Sequence, residues 1–193
     1  MLRALLASYL GKEPAEVCFS YGPQGKPALA DASCSLRFNT SNSSDLVAYA
    51  FTPGCEIGID VEQHRPVHDW DRIAHRFFSP EEASELSDLP EAERIAAFFN
   101  CWSRKEACIK AIGGGLSIPL DSFRVTLRPG VAARMVSLNG SEEAARAWTL
   151  HDIAPAPEYA GAIAYPDRQR FLRTRTLRSV GDLRTEIKAF PQY

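Results

Sequence analysis

Ile57-Gly58-Ile59-Asp60-Val61-Glu62 is the stretch from which the rest of the chain is read. Its apolar alternation predicts a strand beginning near Glu56, and the two-residue period of a strand projects Asp60 and Glu62 from one face. Gly58 leaves room there for a close approach by a ligand or a backbone. Two neighbouring carboxylates repel unless a cation lies between them; a strand end reaching solvent also accommodates them. Downstream, Ser79-Pro80-Glu81-Glu82 combines a Ser cap, a first-turn Pro and a Glu three residues after the cap, predicting a helix to about Ser87. A longer helix is predicted from near Pro90, with Ile95, Phe98, Phe99, Trp102 and Ile109 at helical spacing and Gly113-Gly114-Gly115 as its stop.

Outward from this centre, Leu2, Leu5, Leu6 and Leu10 predict a helix over 1–10, and Val17–Tyr21, Leu36–Asn39 and Leu46–Phe51 read as strands. Thr40–Asp45 reads as a polar turn. Phe123–Leu127, Ala147–Asp152 and Tyr159–Tyr165 complete the strand candidates. The mixed order favours an α+β fold over a doubly wound sheet.

With 193 residues, 45% hydrophobic, the chain can bury a sizeable core as one domain or two small lobes sharing one. A net charge of −2 gives no general attraction to nucleic acid. No apolar run reaches the roughly 18 residues of a membrane span, so a soluble, cytoplasmic protein is expected. Five cysteines without a CxxC pair and four histidines without HExxH predict neither a disulfide framework nor a zinc site. The arginines Arg168, Arg170, Arg173, Arg175, Arg178 and Arg184 read as a solvated tail or edge, or as a surface for an acidic partner.

A second dense group is Trp102-Ser103-Arg104-Lys105-Glu106-Ala107-Cys108-Ile109-Lys110 in the long helix. Glu106 and Lys110 form an i,i+4 pair, which is ordinary on a surface. Here Glu106 extends the aromatic stripe one turn past Trp102, so partial burial and a specific partner are expected. Three carboxylates, two from a strand and one from a helix, make an oxygen-only set suited to Mg²⁺ or Mn²⁺, with a lysine as phosphate counter-charge.

These stretches, with Arg76-Phe77-Phe78-Ser79, Glu82, Gly115-Leu116-Ser117, Asp121-Ser122-Phe123, Gly25-Lys26-Pro27 and Phe38-Asn39-Thr40-Ser41-Asn42-Ser43, resemble the 4′-phosphopantetheinyl transferases of the Sfp type over about residues 2–165. The resemblance implies a fold of two similar α+β lobes, each a small antiparallel sheet on a long helix. Residues 1–52 would be a first lobe shortened at its start, 53–165 a second lobe carrying the metal site, and 166–193 a basic tail. It implies transfer of the phosphopantetheine arm of coenzyme A to a serine of an apo acyl or peptidyl carrier protein, releasing 3′,5′-ADP. Asp60, Glu62 and Glu106 would hold Mg²⁺ (or Mn²⁺), and Glu106 or Glu62 would take the serine proton. Lys110, with Lys105, would meet the phosphates. Lys26 and Ser41, with Arg3, would contact the 3′-phosphate end of coenzyme A, and Pro27 and Asn42 would line the rest of its site. Asn42 stands where relatives carry His, which implies weaker coenzyme A binding, since Asn cannot carry a positive charge. The segment Arg65–Phe78, with Arg72 and Arg76, would face the acidic carrier, and a monomer is expected. The competing readings are a non-catalytic relative that binds coenzyme A or a carrier, a Mg²⁺-dependent phosphatase or nuclease, and a purely structural domain.

Overall fold

A computed structural model describes residues 1–115, 118–167, 170–178 and 182. Leu116, Ser117, Arg168 and Arg184 therefore lie outside the described residues. Helix α1 (Leu2–Leu10) buries Leu5, Leu6 and Ala7 and stops at Gly11 in the left-handed region (φ 62°). It is followed by the short antiparallel pair β1 (Phe19–Tyr21) and β2 (Pro27–Leu29), then by the hairpin β3 (Leu36–Ser43) and β4 (Leu46–Pro53). Strand β5 (Gly58–Gln63) leads into helices α2 (Trp70–Phe77), α3 (Pro80–Ser87) and the 22-residue α4 (Glu91–Ile112). Strands β6 (Phe123–Val125) and β7 (Met135–Leu138), the short α5 (Glu142–Ala145), and β8 (Thr149–Asp152) and β9 (Tyr159–Tyr165) finish the fold. The α+β class is as expected. The helix of residues 1–52 is the nine-residue α1, far shorter than α4.

The central layer is an antiparallel sheet in the order β5-β9-β8 packed on α4. Gly58 fixes their spacing: a Cβ at this position would lie 1.9 Å from the Ala107 carbonyl oxygen and 2.5 Å from the Ala111 nitrogen. The neighbour for which Gly58 leaves room is therefore a helix backbone. The opposite face of β5 buries Ile57 and Ile59 with Ala50, Ile163 and Tyr165. The larger core surrounds α4, where Phe78, Phe98 and Trp102 form an aromatic cluster with ring centroids 5.5–6.3 Å apart.

The expected turn over Thr40–Asp45 is instead the second half of β3, with the reversal at Ser44, whose φ is 53°. Its polar residues have a structural use. On the edge of β5 left unpaired by β9, the Ile59, Val61 and Gln63 N–H groups donate to Asn39 Oδ1 (3.0 Å), Ser41 Oγ (3.3 Å) and Ser43 Oγ (3.1 Å). One face of β3 thus satisfies with side chains what a neighbouring strand would satisfy with backbone, at a half-buried seam where unpaired amides are costly.

Candidate active site

Three residues of β5 and its extension, Asp60, Glu62 and His64, alternate onto the face turned to α4. On α4, Lys110, Glu106 and Phe99 lie along one side at turn-like intervals. The two rows run past each other in register. Lys110 Nζ donates to Asp60 Oδ1 at 2.7 Å, Glu62 raises the pKa of Glu106 by charge repulsion, and the His64 ring stacks on Phe99 with centroids 5.5 Å apart. The backbone hydrogen bond from His64 N–H to Glu158 O continues the strand beyond Gln63.

The Asp60 layer is the most buried. Lys110 Nζ also reaches Ser41 Oγ (3.1 Å) and the Ile59 carbonyl (3.2 Å), while Ser41 Oγ donates to Asp60 Oδ1 at 2.9 Å. Asp60 Oδ2 is buried and has no hydrogen-bond partner. Burial pushes the Asp60 carboxyl up to about 6, against the pull of Lys110. Glu106 is also raised, first by burial and then by Glu62, with Lys110 opposing. Glu62 accepts from Ser43 Oγ at 3.1 Å and faces Arg65 at 3.6 Å.

A stranded carboxylate oxygen beside two further acids, two of the three with raised pKa, is the donor set of a hard divalent cation. Asp60, Glu62 and Glu106 therefore fit Mg²⁺ or Mn²⁺. Among the described residues no three His, Cys, Asp or Glu side chains already close into a ligand cage, and Asp60 Oδ1 is held by Lys110.

Other expected site residues are distributed differently. Lys105 lies on another side of α4, fully buried, with Nζ on Glu82 Oε2 (2.7 Å), Leu120 O (2.7 Å) and Phe123 O (2.5 Å). The expectation that it touches phosphate is corrected: adjacent helix positions are about 100° apart, and the position next to Glu106 turns into the core. Arg3 is engaged with the Val17 carbonyl and lies over the Phe19 ring. Asn42 is exposed, on the face of β3 opposite Ser41 and Ser43. Ser41 is 7% exposed and holds Asp60 and Lys110, so in this structure it positions those groups.

Lys26 ends the turn before Pro27 and binds Glu56 Oε2 at 2.7 Å and Ile57 O at 3.4 Å. Gln24 of that turn lies against Gly115, just past the end of α4. Two groups not read from the sequence join it: Glu56 itself and Arg37, whose Nε lies 3.3 Å from Glu56 Oε1. Their signal was weak, since Arg37 sits in an apolar strand start and Glu56 at a strand boundary. At the far end, a cavity of about 470 Å³ opens between His64–His68, Trp70 and the first turns of α4, including Arg94 and Ile95.

Comparison with known proteins finds relatives over most of the chain. Residues 56–164 match the 4′-phosphopantetheinyl transferase superfamily. The 4′-phosphopantetheinyl transferase HetI of Nostoc sp. (strain PCC 7120) is 37% identical over 166 residues, covering 85% of this chain and 67% of HetI. Sfp of Bacillus subtilis (strain 168) is 34% identical over 167 residues, covering 86% of this chain and 72% of Sfp. The 4′-phosphopantetheinyl transferase AcpT of Salmonella typhimurium is 39% identical over 112 residues, 58% of this chain and 56% of AcpT. With one family matched across the β5–α4 unit and two relatives covered over two thirds or more of their length, the chain belongs to the 4′-phosphopantetheinyl transferase superfamily.

Proposed function

We propose that the protein moves the 4′-phosphopantetheine arm of coenzyme A onto a serine hydroxyl of an apo carrier protein, with Mg²⁺ or Mn²⁺ held by Asp60, Glu62 and Glu106. The observation that carries this reading is the facing of Asp60 and Glu62 on β5 by Lys110 and Glu106 on α4, with one buried carboxylate oxygen left unpartnered. When bound, the cation supplies neutralising charge to the pyrophosphate and to the leaving group. The chain's own groups do the rest. Lys26, at the end of the row beyond Asp60, holds the nucleotide end of coenzyme A. Lys110 reaches from Asp60 toward the pyrophosphate and stabilises the departing 3′,5′-ADP.

The carrier serine oxygen bonds to the phosphorus bearing the pantetheine arm, and the bond from that phosphorus to the ADP oxygen breaks. The serine proton passes to a carboxylate. Glu106 suits this task, because burial and Glu62 raise its proton affinity. Ser41, Ser43 and Gly58 act by position: two hydroxyls orient the acids and the glycine sets the strand-to-helix spacing. The carrier, an acidic partner, would approach from the side of Arg65–Phe78, where Arg72 and Arg76 are exposed on α2. No helix among the described residues is long and apolar enough to cross a membrane, and a cytoplasmic monomer is the proposed working form.

Intact-mass spectrometry of an apo carrier protein incubated with this protein, coenzyme A and Mg²⁺ tests the reading. Gain of one phosphopantetheine, abolished by EDTA and by Glu106→Gln, is the expected result. No gain on several carriers, from folded protein that binds coenzyme A, would establish the non-catalytic binder instead.

A further inference from the structure

No backbone ladder joins the hairpin β3–β4 to β5 among the described residues; Asn39, Ser41 and Ser43 make that seam with side chains. Such bonds fix register less strictly than a ladder, because each side chain keeps rotamers of its own. Register matters here. The hydroxyls of Ser41 and Ser43 also donate to Asp60 Oδ1 (2.9 Å) and Glu62 Oε2 (3.1 Å), so a hairpin that slides takes the orientation of both acids with it.

Two contacts fix the hairpin, one at each end. Beside the reversal, the Tyr159 hydroxyl of β9 donates to Asp45 Oδ1 at 2.7 Å, an exposed bond. At the other end Arg170, which follows β9, bridges the two sheets. Its Nη1 donates to Thr52 Oγ1 (3.2 Å) and to the Pro53 carbonyl (2.8 Å), where β4 ends. Its Nε (3.0 Å) and Nη2 both reach Asp167 Oδ2, just past β9. The Arg170 backbone N–H donates to the hydroxyl oxygen of Tyr165, the last residue of β9, at 2.9 Å. Tyr165 is itself buried with Ala50 of β4 and Ile59 of β5. A guanidinium suits this joint, since its rigid fork of donors serves acceptors on two segments at once. The charge of Arg170 suggests a solvated tail; its partners make it a fastening of the fold.

We propose that Arg170 is a positioning residue for the transfer reaction. By pinning the end of β4 to the end of β9, it keeps Ser41 and Ser43 in register with Asp60 and Glu62, and so holds those carboxylates in place for the divalent cation. This rests on the reading of Asp60, Glu62 and Glu106 as the metal set.

Isothermal titration of the metal-free protein with Mn²⁺ alone tests it without requiring turnover. Ser41→Ala should weaken Mn²⁺ about tenfold, as losing a hydrogen-bond partner of a ligating carboxylate does. Arg170→Met, one step further from the metal, should weaken it about threefold to fivefold. Arg170→Lys, which keeps the charge and can hold one of the two segments, should recover part of that loss. The decisive arm combines the changes. With Ser41→Ala and Ser43→Ala already present, Arg170→Met should alter Mn²⁺ affinity by less than about twofold, because the route through the hydroxyls is gone. Unchanged affinity on Arg170→Met alone, or its full effect in the serine-free background, would overturn this inference and leave the metal reading standing. Failure of the unmodified protein to bind Mn²⁺ would overturn both.

Discussion

Helix α4 carries two lysine–carboxylate pairs with the same 2.7 Å separation and opposite character. Lys105 and Glu82 are 0% and 1% exposed at their side chains, and the pair's own charged atoms are all engaged. Besides its contact with Lys105, Glu82 accepts from Ser79 N–H (2.8 Å) and Val125 N–H (2.7 Å), and Lys105 adds two carbonyls and the Phe123 ring at 4.6 Å. Lys110 and Asp60 are less complete: the lysine side chain is 27% exposed, one carboxylate oxygen has no partner, and the carboxyl is pushed toward neutrality. A saturated pair is a joint between α3, α4 and β6. An unsaturated pair has bonding capacity left for a ligand. Distance alone does not separate scaffold from chemistry; the remaining valences do.

This contrast is open to direct attack. Breaking the saturated pair should have the largest effect. Glu82→Ala strands a buried lysine and should cost about 3–5 kcal/mol in urea unfolding; a loss below 1 kcal/mol would erase the distinction. Breaking the other pair should do the reverse. Asp60→Asn should reduce carrier modification by about a hundredfold or more, by mass spectrometry, while the unfolding free energy at pH 7 holds or rises.

The same carboxyl predicts a pH dependence for the metal-free protein. Its folded pKa of about 6 stands above the ordinary aspartate value of 3.8, so between those limits the native state keeps a proton that the unfolded chain releases. The stabilising contribution is therefore full below about pH 4 and is lost as pH rises toward 6, amounting to about 3 kcal/mol. Unfolding at pH 4.5 and pH 7 should show this slope in the natural chain and lose it in Asp60→Asn, and saturating Mn²⁺ should restore stability at pH 7. At the seam, Asn39→Ala should cost about 1–3 kcal/mol by stranding the Ile59 N–H, measured by thermal unfolding. The smallest effect is expected at Asn42→His, which should tighten coenzyme A binding by less than about 1 kcal/mol, since this position is exposed and the imidazole is only partly charged near neutral pH.

The sequence makes the β5–α4 unit legible because its periods are clean. Alternation places Asp60 with Glu62, the helical repeat places Glu106 with Lys110, and the Ser79–Glu82 capping box is present as predicted. Where structure and sequence part, one cause recurs: the type of a polar residue does not say what it faces. Ser41 and Ser43 look like a turn because strand residues seldom use side chains to bond another strand's amides. Lys105 looks like a phosphate ligand because a lysine with no exposure is rare and its partner Glu82 is 23 positions away. Helix α2 leaves little trace in the sequence, since Trp70–Phe77 is short and buries only Ala74 fully. The Lys26–Glu56–Arg37 group joins three separate segments, which no local pattern encodes.

The three side-chain bonds from β3 to β5 also make the protein its own gauge of breathing. The amides of Ile59, Val61 and Gln63 owe their protection to residues of a different hairpin, so each exchanges with deuterium when that hairpin lifts away, even if β5 stays paired with β9. A ligand gripping Lys26 on one side and Glu106 on the other would slow all three together, and their common rate would report how tightly occupancy clamps the molecule shut.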